Sequence, residues 1–171
     1  MILRRPRPED AGEYYRWFAN SRVTEFLPHA GTEGIPLADA RAYLERVSRE
    51  PRPEYMMIIE SVSSGAPGRA IGFTTFRNFD DRVHSAEISL VIGEPGLWGA
   101  GLGRRAIQAM IALGFEELKL QKIWLNVRDD HVRAIRLYQR LGFAIEQLHP
   151  RSIRIGEQYF GKLKLGLSRA L

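Results

Sequence analysis

The segment Trp98-Gly99-Ala100-Gly101-Leu102-Gly103 places three glycines at alternate positions directly before a helix-forming stretch. Because glycine lacks a Cβ atom, such a loop can turn its backbone amides towards one point and let a phosphate approach. The N-terminus of the next helix adds a partial positive charge. Arg104 and Arg105 would be unfavourable in that first turn unless an anion is bound. The segment predicts a phosphate-binding turn, and the alternative is a flexible turn with two solvated arginines.

Two nucleotide-binding motifs can be compared with this turn. Gly101 to Ala106 formally matches the dinucleotide motif G-x-G-x-x-G/A. That motif follows the first strand of a parallel sheet and needs an acid about twenty residues later. Here four predicted strands precede the glycines, and residues 119–128 contain no acid. A P-loop is also excluded, because no Gly-Lys-Ser/Thr follows the turn.

The sequence around the turn predicts a mixed α/β (α+β) fold on one sheet. Ser85 to Ile92 alternates in polarity, as a half-buried strand does, and places Glu87, Ser89 and Val91 on one face. The helix after Gly103 carries an apolar stripe with a 3.6-residue period. Predicted strands cover residues 2–5, 54–61, 70–76, 85–92, 122–128, 143–148 and 154–167, with turns at 63–68 and 78–81. Predicted helices begin at Glu9, cover 20–27 and 37–49, and follow Gly103 and the capping pair Asp129-Asp130, the last closed by Gly142.

Composition limits the classes of protein that the chain can belong to. Its 171 residues suit one domain, predicted as 1–171. Cysteine is absent, which excludes disulfides, thiolate metal sites and a cysteine nucleophile. His29, His84 and His149 lack ligand spacing, and we expect no metal. No apolar run can span a bilayer, and residues 1–5 contain no apolar h-region, so we expect no secretory signal and a cytoplasmic protein without membrane partners. The net charge of +5 is spread along the chain, which makes nucleic acid an unlikely partner.

Two motifs of the chain are similar to the GNAT superfamily of N-acetyltransferases, in the branch of ribosomal-protein alanine and spermidine acetyltransferases. Trp98 to Gly103 resembles the family's cofactor motif in its Trp-Gly-x-Gly-x-Gly form. Arg133 to Phe143 is close to the family's R-A-I-x-L-Y-x-x-x-G-F. Arg16 to Val23 resembles the early helices on the substrate side of this branch. The resemblance extends from Leu3 to Leu167.

The resemblance implies a GNAT fold: a mostly antiparallel sheet of about seven strands, flanked by helices, with a V-shaped split between strands four and five. It implies acetyl-CoA as co-substrate, an acceptor side within residues 1–50 and an acetyl-CoA-binding core within 83–143. The pantetheine arm would pair with the backbone of Val91 and Ile92. The other cofactor-binding residues that it implies are Trp98, Gly99, Ala100, Gly101, Leu102, Gly103, Arg104, His131 and Arg133.

Tyr138 is the first of two catalytic residues that the resemblance implies. Its hydroxyl would protonate the departing thiolate. A tyrosine with a pKa near 10 is a weaker acid than a thiol near 8.5, so full transfer is uphill by about 2 kcal/mol. A hydrogen bond that stabilises the thiolate can matter as much. The alternative is a core aromatic, since the helix stripe points Tyr138 inward.

Glu87 is the candidate base, acting directly or through water. An amine with a pKa near 10.4 needs a base before it can attack, whereas a peptide α-amine near 8 is already partly neutral. Family members often carry a glutamate at this position, and the alternative is a solvated strand carboxylate. Some relatives place the base on the fifth strand, where this chain has Asn126, which cannot accept a proton.

His131 departs from the family, which usually has asparagine there. The imidazole would contact the cofactor or serve as an extra acid, and the alternative is a surface histidine at a helix start. Aromatic residues that would wall the acceptor pocket or belong to the core are Tyr14, Trp17, Phe26, Tyr159 and Phe160.

The sequence therefore predicts an N-acetyltransferase that joins acetyl-CoA and a primary amine in a ternary complex, because no cysteine can carry the acyl group. The acceptor would be a protein N-terminus, a polyamine, an amino sugar or another small amine. A non-catalytic module of the same fold that binds acyl-CoA is the alternative. A homodimer is compatible with the sequence, which does not settle the oligomeric state.

Overall fold

A computed structural model describes residues 1–27, 36–50, 52–62 and 68–169 of the chain. The strands are β1 Ile2–Arg4, β2 Tyr55–Ser61, β3 Arg69–Asp80, β4 Ser85–Ile92, β5 Lys122–Arg128, β6 Ala144–Ile155 and β7 Gln158–Ser168. The helices are α1 Ala11–Phe18, α2 Ser21–Thr24, α3 Leu37–Arg49, α4 Leu102–Glu116 and α5 Val132–Arg140. The predicted residues 63–67 of the first turn, and His29, lie outside the described residues.

The predicted bounds of β4, β5 and α3 are confirmed. Three predictions near chain reversals are wrong. β3 continues through the predicted turn at 78–81 as far as Asp80. The predicted strand 154–167 is broken by a hairpin turn at Gly156, whose φ is +60°, because glycine adopts this left-handed backbone without strain. The residue before α5 is His131 rather than a capping aspartate, and the Asp130 carboxylate binds Arg128 instead.

The sheet has the strand order β1-β2-β3-β4-β5-β7-β6. Every neighbouring pair is antiparallel except β4 and β5, which run parallel. That parallel pairing covers only three residues and ends where Glu87 meets Trp124. Beyond this point β4 stays bonded to β3 and β5 stays bonded to β7. The two strands therefore diverge, and the predicted V-shaped split between the fourth and fifth strands is confirmed.

Apolar side chains cover both faces of the sheet. On one face α4 and α5 pack against β4 and β5, around a cluster that includes Ile107, Ile123 and Tyr138. On the other face α1 and α3 pack against β2 and β3, around Trp17, Leu44 and other buried residues. The split consequently opens between two packed layers, with α4 and α5 on one side and the α1–α3 layer on the other. None of the helices in the described part of the chain is long and apolar enough to cross a membrane.

Candidate active site

The glycine turn joins the end of β4 to the start of α4. Gly99 and Gly101 have φ values of +88° and +75°, and open space lies where a Cβ atom would be. Both positions therefore need glycine for the backbone conformation and not for lack of room. Gly103 is different, because a Cβ atom there would lie 3.0 Å from the Leu90 side chain. The third glycine lets α4 pack closely against β4.

The backbone amides at the start of α4 are available to a ligand. The first intrahelical bond runs from Arg105 N to the Gly101 carbonyl (3.1 Å). The amides of residues 102–104 precede it and have no acceptor within the helix. Ala100 N is bonded to the Leu97 carbonyl (3.4 Å), so this predicted contributor is already used within the turn. The geometry suits an anion at the N-terminus of α4.

Trp98 connects the turn to both walls of the split. Its Nε1 donates to the Ile92 carbonyl (2.8 Å). The Ile92 backbone is predicted to pair with the pantetheine arm, and this hydrogen bond occupies one lone pair of its carbonyl oxygen. The guanidinium carbons of Arg133 and Arg22 lie 4.6 Å and 5.5 Å from the centre of the Trp98 ring. Sequence reasoning missed Arg22, since only the fold brings α2 to the turn. With the exposed Arg104, these cations give the mouth of the split a positive charge that fits a polyanionic cofactor.

Glu87 lies at the apex of the split, on the last β4 residue that pairs with β5. Its Oε2 accepts from Arg77 Nε (3.1 Å) and Asn78 Nδ2 (2.7 Å), and its Oε1 accepts from Asn126 Nδ2 (3.2 Å). Glu87 is only 5% exposed, so it is not a solvated strand carboxylate. Three donors occupy three of about four lone-pair positions, which leaves one for an acceptor amine or a water. Arg77 and Asn78 had no signal in the sequence.

Val91 and Ile92 lie past the last residue of β4 that pairs with β5. They remain paired with Phe73 and Gly72 of β3, and the edge that faces β5 is open. This is the arrangement that a strand-like ligand such as an amide-bearing arm requires.

Tyr138 lies on α5, on the opposite face of the sheet from Glu87. Its ring is 6% exposed and packs edge-on against Phe143, in the cluster that holds Ile88 of β4 and Leu125 of β5. Burial raises the pKa of the hydroxyl. None of the fully buried side-chain oxygens or nitrogens in the described ranges lacks a hydrogen-bond partner.

His131 belongs to a stack of four side chains that we call the Arg128 stack. The His131 ring lies parallel to Phe26 (3.8 Å between ring centres), and the Arg128 guanidinium lies between Phe26 (4.6 Å) and Phe160 (4.2 Å). Burial, with the neighbouring charge of Arg133, lowers the pKa of His131 to about 4. The imidazole is therefore neutral near pH 7 and faces α2, which leaves the predicted cofactor contact a prediction.

The Arg128 stack lies at the end of β5. Arg128 donates two hydrogen bonds to Asp130 (2.8 and 2.6 Å) and one to the carbonyl of Glu25 (3.0 Å). It thereby attaches the residues after α2 to β5. Of the predicted aromatic wall residues, Phe26 and Phe160 belong to this stack, Tyr14 and Trp17 are core, and Tyr159 is exposed. Among the described residues, no group of three or more acids or histidines could hold a metal ion.

Residues 1–144 match the family model of the acetyltransferase (GNAT) domain. The chain belongs to this family. A structure of a spermidine N-acetyltransferase from Vibrio cholerae, in complex with CoA and spermine, has a TM-score of 0.85 at 20% identity and covers 98% of this chain and 94% of that one. It shares the GNAT fold. The family resemblance predicted from the two motifs is thus confirmed, and the narrower branch stays a prediction.

Two curated relatives match shorter segments. An N-acetyltransferase 9-like protein of Nematostella vectensis is 34% identical over 68 residues, which are 40% of this chain and 34% of that protein. The spermidine N(1)-acetyltransferase of Escherichia coli K12 is 33% identical over 86 residues, 50% of this chain and 46% of that protein. The chain thus matches less than half the length of either relative. GNAT enzymes use acetyl-CoA, and membership places this chain among the acetyl-CoA-dependent N-acetyltransferases.

Proposed function

We propose that this GNAT domain transfers the acetyl group of acetyl-CoA directly to a primary amine, with Glu87 and Tyr138 as its catalytic residues. One observation carries the proposal. Glu87 lies at the apex of the split, and Tyr138 belongs to the cluster on the other face of the sheet that holds Ile88 of β4 and Leu125 of β5. An amine attacking a thioester held in the split gains a proton acceptor on one side, while the leaving sulfur meets a hydroxyl on the other.

The glycine turn and the edge of β4 would hold acetyl-CoA, which supplies an activated thioester. The amides of residues 102–104 would bind the pyrophosphate, with the exposed Arg104 beside them, and Val91 and Ile92 would pair with the pantetheine arm. Arg133, over the Trp98 ring, is placed to contact a phosphate at the mouth of the split. Together these groups fix the position of the thioester relative to Glu87 and Tyr138.

Glu87 would remove the proton of the attacking amine. Its Asn126 bond orients Oε1 towards β5 and the split, and the remaining lone pair is the position for the amine or a bridging water. Arg77 and Asn78 hold the carboxylate in place. Tyr138 would stabilise the leaving thiolate with its hydroxyl, which burial keeps protonated throughout the working pH range.

The named relatives support one class of acceptor amine. The E. coli and V. cholerae proteins are spermidine N-acetyltransferases, which supports a small-molecule amine as acceptor. A protein N-terminus is the second acceptor that we propose to test, in the same panel of amines. Cytoplasmic location and a homodimer stay predictions.

The experiment is acetyl-CoA consumption by the purified protein against a panel of amines: a polyamine, an amino sugar, amino acids and short peptides. We expect release of CoA with at least one class of amine and its acetylated product by mass spectrometry. Binding of acetyl-CoA without turnover on any amine would contradict the proposal and favour a non-catalytic acyl-CoA-binding module.

A further inference from the structure

β5 forms the wall of the split opposite β4, and β7 behind it carries two lysines. In the β5–β7 register, Lys164 lies opposite Asn126 and Lys162 lies opposite Arg128. The Lys164 ammonium stands 4.7 Å from the centre of the Trp124 ring, and Trp124 is the β5 residue paired with Glu87. Since neighbouring strands lie about 4.8 Å apart, the backbones of β4 at Glu87 and β7 at Lys164 are separated by on the order of 10 Å.

A groove of about 660 Å³ lies between the β3–β4 turn and the paired ends of β4 and β5. Trp124 and Lys164 line it, together with Asn78, whose amide donates to Glu87. A molecule in the groove would therefore contact the Lys164 ammonium at one point and a residue that holds Glu87 at another. A short substrate can reach both.

The two acids that line the groove have cationic partners: Asp80 with Arg82 (3.6 Å) and Asp81 with Arg52 (2.6 Å). Lys122, which also lines it, is paired with Glu146 (2.7 Å). Lys162 and Lys164 differ, because no carboxylate of the residues described comes within 4 Å of either ammonium. The wall next to Glu87 thus carries positive charge that the described protein residues do not compensate.

We infer that the acceptor amine carries an anionic group, a carboxylate or a phosphate, and that Lys164 binds it. The inference rests on the proposed function, since it concerns the acceptor of the same site. A charge-assisted hydrogen bond from Lys164 would hold such an acceptor with its amine towards Glu87. A polyamine would instead place a second ammonium next to Lys164, and like charges in a groove repel each other. Lys164 is then a residue that determines specificity, while Glu87 and Tyr138 handle the protons.

The test compares acceptors that share one amine and differ in a remote charge. Glucosamine 6-phosphate is paired with glucosamine, and the peptide amide Ser-Asp-Gly is paired with Ser-Asn-Gly. Spermidine serves as the polycation. We expect kcat/KM to be about tenfold or more higher for the anionic member of at least one pair, as for a hydrogen bond to a charged group. The pair that shows the preference distinguishes phosphate from carboxylate.

Variants connect the preference to the lysine. Lys164→Met keeps the chain length and the contact with Trp124 but removes the charge, and we expect it to abolish the preference by lowering kcat/KM for the anionic member to that of the neutral one. Lys164→Arg should retain the preference. Arg140→Met, at an exposed cation of α5, is the control. It should change neither the preference for the anionic acceptor nor kcat/KM for the neutral one.

The possible failures are distinguishable. Equal kcat/KM for both members of each pair, or a preference that survives in Lys164→Met, would overturn this inference and leave the acetyltransferase proposal standing. Efficient turnover of spermidine above the anionic acceptors would do the same. Absence of turnover with every amine would overturn both.

Discussion

Tyr138 is the single residue whose removal tests the proposed chemistry most directly. Tyr138→Phe deletes the hydroxyl and keeps the ring that packs on Phe143. We expect kcat to fall by about 10²-fold, because a positioned proton donor contributes of that order, while the Kd of acetyl-CoA changes by less than about twofold. Steady-state kinetics and calorimetric titration measure the two quantities.

The matched control is Tyr159→Phe, at a tyrosine of the β6–β7 hairpin that is about half exposed. It should leave kcat unchanged. An unaltered kcat in Tyr138→Phe would remove Tyr138 from catalysis and return it to the core aromatic that its helix stripe also predicts.

Gly101 tests the backbone requirement of the phosphate turn. Alanine has room at this position, but φ is +75°, and a Cβ atom makes that conformation unfavourable by about 1–2 kcal/mol. We expect Gly101→Ala to lower the free energy of unfolding by about 1 kcal/mol and to weaken acetyl-CoA binding. Urea unfolding and titration provide both values. The control is Gly96→Ala, because Gly96 also has open space for a Cβ atom but no positive φ. An equal loss of stability in Gly96→Ala would contradict the explanation by backbone conformation.

His131 should make stability depend on pH in a defined window. Its pKa is about 4 in the folded chain, lowered by burial and by Arg133 from an ordinary value of 6.5. As pH falls the unfolded chain takes up the proton first, so the stabilisation is complete above pH 6.5 and is lost towards pH 4. For a half-buried ring we expect about 1–2 kcal/mol after solvent screening. Urea unfolding between pH 7 and 4 measures the effect, and the free energy of unfolding of His131→Asn should lack this part of the pH dependence. If the parent protein and the variant gave parallel plots of this free energy against pH, His131 would not be its source.

At the scale of elements, the position of α2 depends on one arginine of β5. The Arg128 side chain is 8% exposed and binds Asp130, the Glu25 carbonyl and two aromatic rings. We expect Arg128→Ala to lower the free energy of unfolding by about 2 kcal/mol, because it removes a partly buried charged donor. We also expect faster amide hydrogen exchange in residues 21–27.

Arg140→Ala is the matched control for this element, since Arg140 is exposed on α5. It should change the free energy of unfolding by less than about 0.5 kcal/mol. Unchanged exchange in residues 21–27 of Arg128→Ala would show that α1 and α3 hold α2 without the stack.

Helices and strands with a regular apolar period could be predicted from the sequence. The positions at which the chain reverses direction were harder to predict. The alternation in β4 and the stripe of α3 gave the observed bounds, because burial of one face dictates both patterns. The β6–β7 turn was missed, since β6 is exposed along almost all its length and carries no such period. The expected aspartate cap of α5 failed because Arg128 competes for Asp130, a partner that only β5 supplies.

At the scale of the whole molecule, the split should couple acetyl-CoA binding to stability. Acetyl-CoA would contact the ends of β4 and α4 on one side and α5 on the other, so it binds the folded chain only. At 100 times its Kd we expect about 2.7 kcal/mol of stabilisation and, for a chain of this size, a rise in Tm of about 5–10 °C. Thermal unfolding with and without the cofactor measures it. Gly101→Ala at the same acetyl-CoA concentration should show a smaller rise, and no rise in the parent protein would contradict cofactor binding at the split.

The sequence by itself determined the fold class, the order of the strands around the glycine turn and the motifs that show the family; the two residues now proposed for catalysis came from the resemblance to that family. These are properties of local patterns, because periodicity, glycines before a helix and fixed motif spacings are all readable within a few turns of chain. Only the tertiary structure decided the surroundings of those residues. The three donors on Glu87, the Arg128 stack and the contact of Lys164 with Trp124 join residues that lie from 9 to 105 positions apart. Such contacts arise from the register of the sheet and the divergence of β4 from β5, which no local pattern encodes.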